Sequence, residues 1–212
     1  MRSALVLVGP ERIGRWVTNF ESRHGPARLQ IAEGALAGLG EDGAEFTARL
    51  PFGRRYDGPA DPTPFAEACS PPGLWGVLLV RKGGFAVARL TGHEILESKV
   101  GQRHVQGRTK AGGQSQQRFA RRRDNQARAA YDAAADHAVR ILGGPLQVLA
   151  CGGDRAAVDH VLEHPRLAHL VPLRTEPWLA VPDPRRAVLE RAVRDAGAVQ
   201  VSVRDEPADG RT

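Results

Sequence analysis

The sequence predicts an α/β protein. Of its 212 residues 42% are hydrophobic but only 5% aromatic, so a core has to be assembled from Val, Leu, Ile and Ala. Short β-branched runs alternate with stretches of helical period, the pattern of a largely covered sheet. A charged fraction of 25% with that apolar content excludes disorder throughout. The length suits one compact domain with an extension, or two small domains.

Residues 3–8 (SALVLV) read as a strand closed by Gly9-Pro10. Residues 11–23 follow with Ile13, Trp16, Val17 and Phe20 at helical spacing. From 34 to 73 the pattern weakens, and Pro51, Pro59, Pro62, Pro64, Pro71 and Pro72 predict an irregular connection with a boundary near residue 72. Residues 1–72 are therefore expected as an N-terminal α/β extension whose role the sequence does not disclose. Residues 74–80 and 85–90 are β-branched runs joined by Arg81-Lys82-Gly83-Gly84, the signature of a hairpin. A third extended run covers 94–105, and 107–113 has no period.

Ser115 is expected as the N-cap of a helix over 116–142, a span free of Gly and Pro. On it Ala127, Ala130, Tyr131, Ala134, Ala138 and Ile141 share a stripe, whereas Arg118, Arg121, Arg122 and Arg128 fall elsewhere. Gly143-Gly144-Pro145 ends it. A buried strand over 146–150, helices over 154–163 and 185–195, and a last strand over 198–203 complete a C-terminal domain of 73–204; the polar tail 205–212 is expected to be loose. No internal repeat is present.

The formal charge is +6, and of the 30 basic residues only Lys82, Lys99 and Lys110 are lysines. Between Arg103 and Arg128 eight bases face one acid, Asp124, so this segment carries the whole excess. Guanidinium forks match phosphate oxygens two at a time, and such a block is the footprint expected for a polyanion.

Inside that block lies Arg108-Thr109-Lys110-Ala111-Gly112-Gly113-Gln114-Ser115-Gln116-Gln117-Arg118-Phe119-Ala120-Arg121-Arg122-Arg123. Two adjacent glycines let the backbone come close to a partner that a Cβ would strike. Gln114 then offers a neutral amide, which orients a water or steadies an oxyanion but cannot act as a general base near neutrality. Chance yields about 0.1 Gly-Gly-Gln tripeptides in such a composition, so the surrounding string decides.

That string, Gly-Gly-Gln-Ser-x-x-Arg-Phe-Ala-Arg-x-Arg, resembles without a gap the signature of the central domain of the eukaryotic and archaeal peptide-chain release factor. From about Leu74 to Val203 the hairpin, the Arg-rich helix and the strand and turn over 146–154 come in that domain's order. The resemblance implies an RNase-H-like mixed α/β sheet with a long Arg-rich helix after the Gly-Gly-Gln loop. No Asn-Ile-Lys-Ser string of a stop-codon-reading domain precedes it. The nearer likeness is to the Vms-like release factors, in an actinobacterial branch, which act without a codon on stalled or split large ribosomal subunits. Their Gly-x-x-Gln motif is met by Gly113-Gln114-Ser115-Gln116, which keeps Gln116 as an alternate to Gln114.

The resemblance implies a cytoplasmic peptidyl-tRNA hydrolase working on the large subunit. Gly112, Gly113 and Gln114 would be the catalytic loop; Arg108, Lys110, Arg118, Arg121, Arg122 and Arg123 would hold rRNA phosphates. Neither a cofactor nor a metal is implied, and neither DNA nor a membrane is an expected partner. Two other readings stay open: a nuclease acting on the tRNA 3′ end, and a non-catalytic rRNA-binding module.

His160-Val161-Leu162-Glu163-His164 spells the inverted zinc-protease pattern, but Pro165 places His164 at a helix end without a further ligand in sight. Asp154 after Gly152-Gly153 reads as an N-cap rather than a phosphate cradle. Trp16, Trp75 and Trp178 read as core or interface anchors. Cys69 and Cys151, far apart and outside any CxxC, read as buried hydrophobes of a reducing compartment. No apolar stretch approaches a bilayer span or a signal-peptide core.

Overall fold

The structure, a computed structural model, describes the backbone of residues 3–102 and 114–204 and the side chains of 5–102 and 128–204. In chain order the elements are β1 (Ser3–Val8), α1 (Ile13–His24), β2 (Arg28–Ala32), β3 (Ala35–Leu39), β4 (Glu45–Arg49), α2 (Pro62–Glu67), β5 (Leu74–Arg81), β6 (Gly84–Thr91), β7 (Glu94–Gln102), α3 (Gln114–Leu142), β8 (Val148–Gly153), α4 (Arg155–Leu162), β9 (Arg174–Leu179), α5 (Arg186–Ala196) and β10 (Val199–Arg204). The chain divides into two compact units, Met1–Pro71 with Arg194–Thr212, and Pro72–Val193.

In the first unit an antiparallel sheet of order β1-β10-β4-β3-β2 carries α1 and α2. Ile13, Val17 and Phe20, spaced by four and three residues, bury one side of α1 against Leu36, Phe46, Ala48, Val199 and Val201. Phe46 meets the rings of Phe20 and Trp16 edge-on at 4.9 and 5.1 Å.

The stretch expected to be irregular contains β3, β4 and α2, with β2 just before it. These strands have five residues each, and Ala or Gly fills many positions, so few large residues mark their period. Burial rests on Leu36 and Phe46, both under 2% exposed. The β2–β3 link is a two-residue turn in which Glu33 and Gly34 both take positive φ, 53° and 77°, the geometry that matches strand twist in a tight hairpin.

A second correction concerns the last strand, expected with the C-terminal domain. β10 is instead hydrogen bonded between β1 and β4, with Val201 opposite Val6 on one side and Ala48 on the other. Its Val199-x-Val201-x-Val203 alternation suits a sheet covered on one face only.

The second unit is a mixed sheet of order β7-β6-β5-β8-β9. β5, β6 and β7 form an antiparallel meander, and β8 and β9 run parallel to β5 and to each other. The helices α3 and α4 make the crossovers between β7, β8 and β9. This is the RNase-H-like mixed α/β arrangement that the resemblance implies. β5 lies at the centre, and Trp75 to Val80 are buried without interruption, as a strand covered on both faces requires. The core joins Leu78, Val80 and Val87 to the alanine stripe of α3 and to Val158, Val161 and Leu162 of α4.

Candidate functional site

The basic segment springs from a defined root in the second unit. β7 ends with Gly101 opposite Phe85 and Gln102 opposite Gly84. The chain re-enters the described structure at Gln114 as the first residue of α3. Arg108, Lys110, Gly112 and Gly113 lie outside the described residues. Gln114, Gln116, Arg118, Arg121, Arg122 and Arg123 lie in the N-terminal part of α3, where the backbone alone is described. The helix begins at Gln114, so Ser115 belongs to its first turn instead of capping it.

What holds the root is the C-terminal half of α3. Ala134 and Ala138 are fully buried and Ala130 is 9% exposed, as the sequence stripe predicts. Ala135 and Leu142 are buried as well. Small side chains let the helix axis come close to β6 and α4. The ring of Phe85, at the start of β6, stacks on His137 of α3 at 5.5 Å. The same ring lies over Gly101, where an added Cβ would stand 2.3 Å from it. Arg140 of α3 pairs with Glu97 of β7. One aromatic residue and one ion pair thus tie the strands β6 and β7 to the C-terminal half of α3.

Ala130 is the first buried side chain described on α3. Sixteen residues separate it from Gln114, so at ~1.5 Å per residue the helix runs on for about 24 Å. At ~100° per residue, positions 114, 118 and 121 fall on the same line as exposed Asp132 and Asp136. Position 116 falls on the line of buried Ala134 and Ala138. The two candidate glutamines therefore occupy opposite sides of the helix.

Sequence reasoning missed Phe85, Gly101 and His137, because nothing in a single run of residues reveals which ring covers which glycine across two strands. The one available signal was Gly101 itself, a glycine inside an extended run. The β5–β6 turn carries Arg81 and Lys82, both exposed, and Gly84 at its end pairs with Arg81 on one side and Gln102 on the other. Arg81 is fixed by a hydrogen bond to the Val181 carbonyl at 2.8 Å and by Asp183 at 3.5 Å.

The residues singled out elsewhere have local duties. α4 ends at Leu162, and His164 beyond it caps the next turn, its Nδ1 accepting the Arg166 N–H at 3.2 Å. His160 faces Asp132 of α3 at 3.2 Å and Glu163 at 3.7 Å. Among the described residues no three His, Cys, Asp or Glu side chains gather to hold a metal. Asp154 caps α4 by accepting the Ala156 N–H at 3.1 Å. Trp75 is buried and donates to the Gly92 carbonyl, and Trp178 donates to the Gly153 carbonyl under the Arg155 guanidinium. Cys69 and Cys151 are free and buried; burial pushes their thiols up to about 11 and about 12. No helix among the described residues is long and apolar enough to cross a membrane.

Comparison with known proteins bears on residues 73–202, which match the family described as Actinobacteria/chloroflexi VLRF1 release factor. No curated protein matches the chain. Among solved structures it is similar to an archaeal translation termination factor, aRF1, at 16% identity and a TM-score of 0.43 over 75% of this chain and 48% of that one. An archaeal protein matches at 16% identity and a TM-score of 0.31, over 75% and 51%. Pelota of Archaeoglobus fulgidus matches at 10% and 0.28, over 91% and 62%. The chain spans about half the length of the first two.

Proposed function

The chain belongs to the Actinobacteria/chloroflexi VLRF1 release factor family, and from that premise we propose that it hydrolyses peptidyl-tRNA on stalled or split large ribosomal subunits, without reading a codon. The observation that carries this reading is the family match over residues 73–202, a range that includes the Gly112-Gly113-Gln114 string and the sheet of the second unit.

In this reading the segment 103–113 enters an RNA-walled cavity beside the terminal adenosine of the P-site tRNA. Gly112 and Gly113 permit the close approach, and the Gln114 amide orients water against the aminoacyl ester. A neutral amide supplies orientation and hydrogen bonds but no proton transfer, so ribosomal RNA and the tRNA 2′-hydroxyl provide most of the electrostatics. Arg108, Lys110, Arg118, Arg121, Arg122 and Arg123 hold rRNA phosphates; such contacts set position and carry no sequence readout. Placing position 114 on the line of Arg118 and Arg121, away from the buried stripe, favours Gln114 over Gln116. The setting is the cytoplasm, with the large subunit and peptidyl-tRNA as partners.

The test is product analysis on purified large subunits carrying peptidyl-tRNA. Free peptide together with tRNA bearing an intact CCA end is the expected product. Shortened tRNA would replace the reading with a nuclease, and bound protein without cleavage would replace it with a binding module.

A further inference from the structure

Of the motif His160-Val161-Leu162-Glu163-His164, the last histidine caps the turn that follows α4. His160 stands elsewhere, at the margin between α4 and α3. Its Nε2 donates to the Asp132 carboxylate of α3 at 3.2 Å, and its Nδ1 lies 3.7 Å from Glu163. The imidazole ring lies 5.7 Å from the ring of Tyr131, tilted by 54°. Asp159, the residue before His160, is held by Arg174 at 2.5 Å and does not compete for the imidazole. His160 is thus oriented from both of its ring nitrogens, one of them toward the helix that carries the arginines.

Exposed pairs of this kind add little to stability, and the side chains of His160, Asp132 and Glu163 are 37%, 70% and 74% exposed. What they fix is direction. Beneath them Ala134 and Ala138 of α3 share a core with Val158 and Val161 of α4. Alanine has no long side chain to interlock with a neighbour, so such a face sets the separation of two helices more firmly than their angle. The angle matters because α3 is one continuous helix from Gln114 to Leu142. Eighteen residues separate Asp132 from Gln114, an arm of ~27 Å at ~1.5 Å per residue. A tilt of ~3° at Asp132 moves the far end of that arm by about 1.4 Å. A misplacement of ~1 Å at a reacting centre costs about a hundredfold in rate.

We propose that His160 is a positioning residue for peptide release: by holding Asp132 it sets the angle at which α3 presents Gln114 and the arginines that follow it. This role rests on the peptidyl-tRNA reading above and adds to it the contact that aims the helix. It separates two effects that ordinarily travel together. Loss of the pair leaves the alanine-lined core intact, so the fold and the phosphate contacts persist while the far end of α3 wanders.

Kinetics of the full chain on large subunits carrying peptidyl-tRNA test this. His160→Leu is expected to slow single-turnover release about tenfold or more, with subunit affinity within about twofold and the denaturation midpoint nearly unchanged. His160→Arg, whose guanidinium reaches the same carboxylates, should restore the rate. Asp132→Leu should match His160→Leu, and the double variant should be no slower than either. Normal release by His160→Leu, a loss that only follows affinity or stability, or additive losses in the double variant would overturn the proposal. A second measurement does not depend on release. Spin labels on Glu94→Cys and Gln117→Cys, with both natural cysteines buried, should show a wider distance distribution in His160→Leu than in the unaltered background, and a narrow one again in His160→Arg. Absence of release by the unaltered protein would defeat the functional reading and leave the contact to be judged by these distances: a widened distribution upholds it as what aims α3, and an unchanged one overturns it.

Discussion

Phe85 and His137 stack at 5.5 Å with their rings 29° apart, joining the start of β6 to the C-terminal half of the helix that carries the arginine-rich segment. The Phe85 ring also covers Gly101, one residue from the end of β7. A side chain at position 101 has to displace that ring. Gly101→Val is expected to destabilise the second unit by about 1–3 kcal/mol through overpacking. It should also slow peptide release more than Val100→Ala does. Chemical denaturation and single-turnover release measure the two effects.

Removing guanidinium groups should change salt dependence as well as affinity. With Arg118, Arg121, Arg122 and Arg123 all changed to Ala, binding to large subunits should weaken. The slope of log K against log salt should fall by roughly 0.7–0.9 for each phosphate that is no longer neutralised. Binding measured across a salt series decides this; an unaltered slope would show that these arginines do not sit on phosphates.

Asp42 supplies a pH dependence in the first unit. Its carboxylate accepts a hydrogen bond from His24 Nδ1 at 2.8 Å and another from the Ala44 N–H at 3.0 Å, and these hold its pKa below the ordinary 3.8. A depressed carboxylate stabilises the fold above its unfolded pKa, and that contribution disappears as pH falls through the folded value. The expected loss therefore lies below pH 3.8. A carbon-detected NMR titration should place the Asp42 midpoint under that value, and His24→Ala should move it back up.

The cysteines should be inert. With thiols held near 11 and 12 by burial, Cys69 and Cys151 carry almost no thiolate at neutral pH. Native protein should react with a disulfide reagent at least about a hundredfold more slowly than unfolded protein. Fast native labelling would show that one of these sites opens.

The sequence disclosed the second unit more fully than the first. The Arg81–Gly84 turn, the interruption-free run of β5 and the alanine stripe of α3 are local patterns with strong period, and each appears where residue spacing puts it. β3 and β4 escaped notice because Ala35, Ala37, Gly38 and Ala48 give almost no amphipathic contrast. The placement of β10 escaped because strand partnership over roughly 150 residues, as between Ser202 and Thr47, leaves no local mark. In the site, the motif was readable as a string, whereas the Phe85–Gly101–His137 root exists only across three elements. The residues Arg108, Lys110, Gly112 and Gly113 stand on sequence alone.

The central claim is that the Gln114 amide positions the water that attacks the ester. Its most direct test is the rate of peptide release from peptidyl-tRNA on purified large subunits, with Gln114→Ala and Gln116→Ala compared against the unaltered protein and subunit binding measured in parallel. Loss of one positioning amide should slow release roughly a hundredfold or more in Gln114→Ala, with binding retained and Gln116→Ala close to normal. Undiminished release by Gln114→Ala would contradict the account.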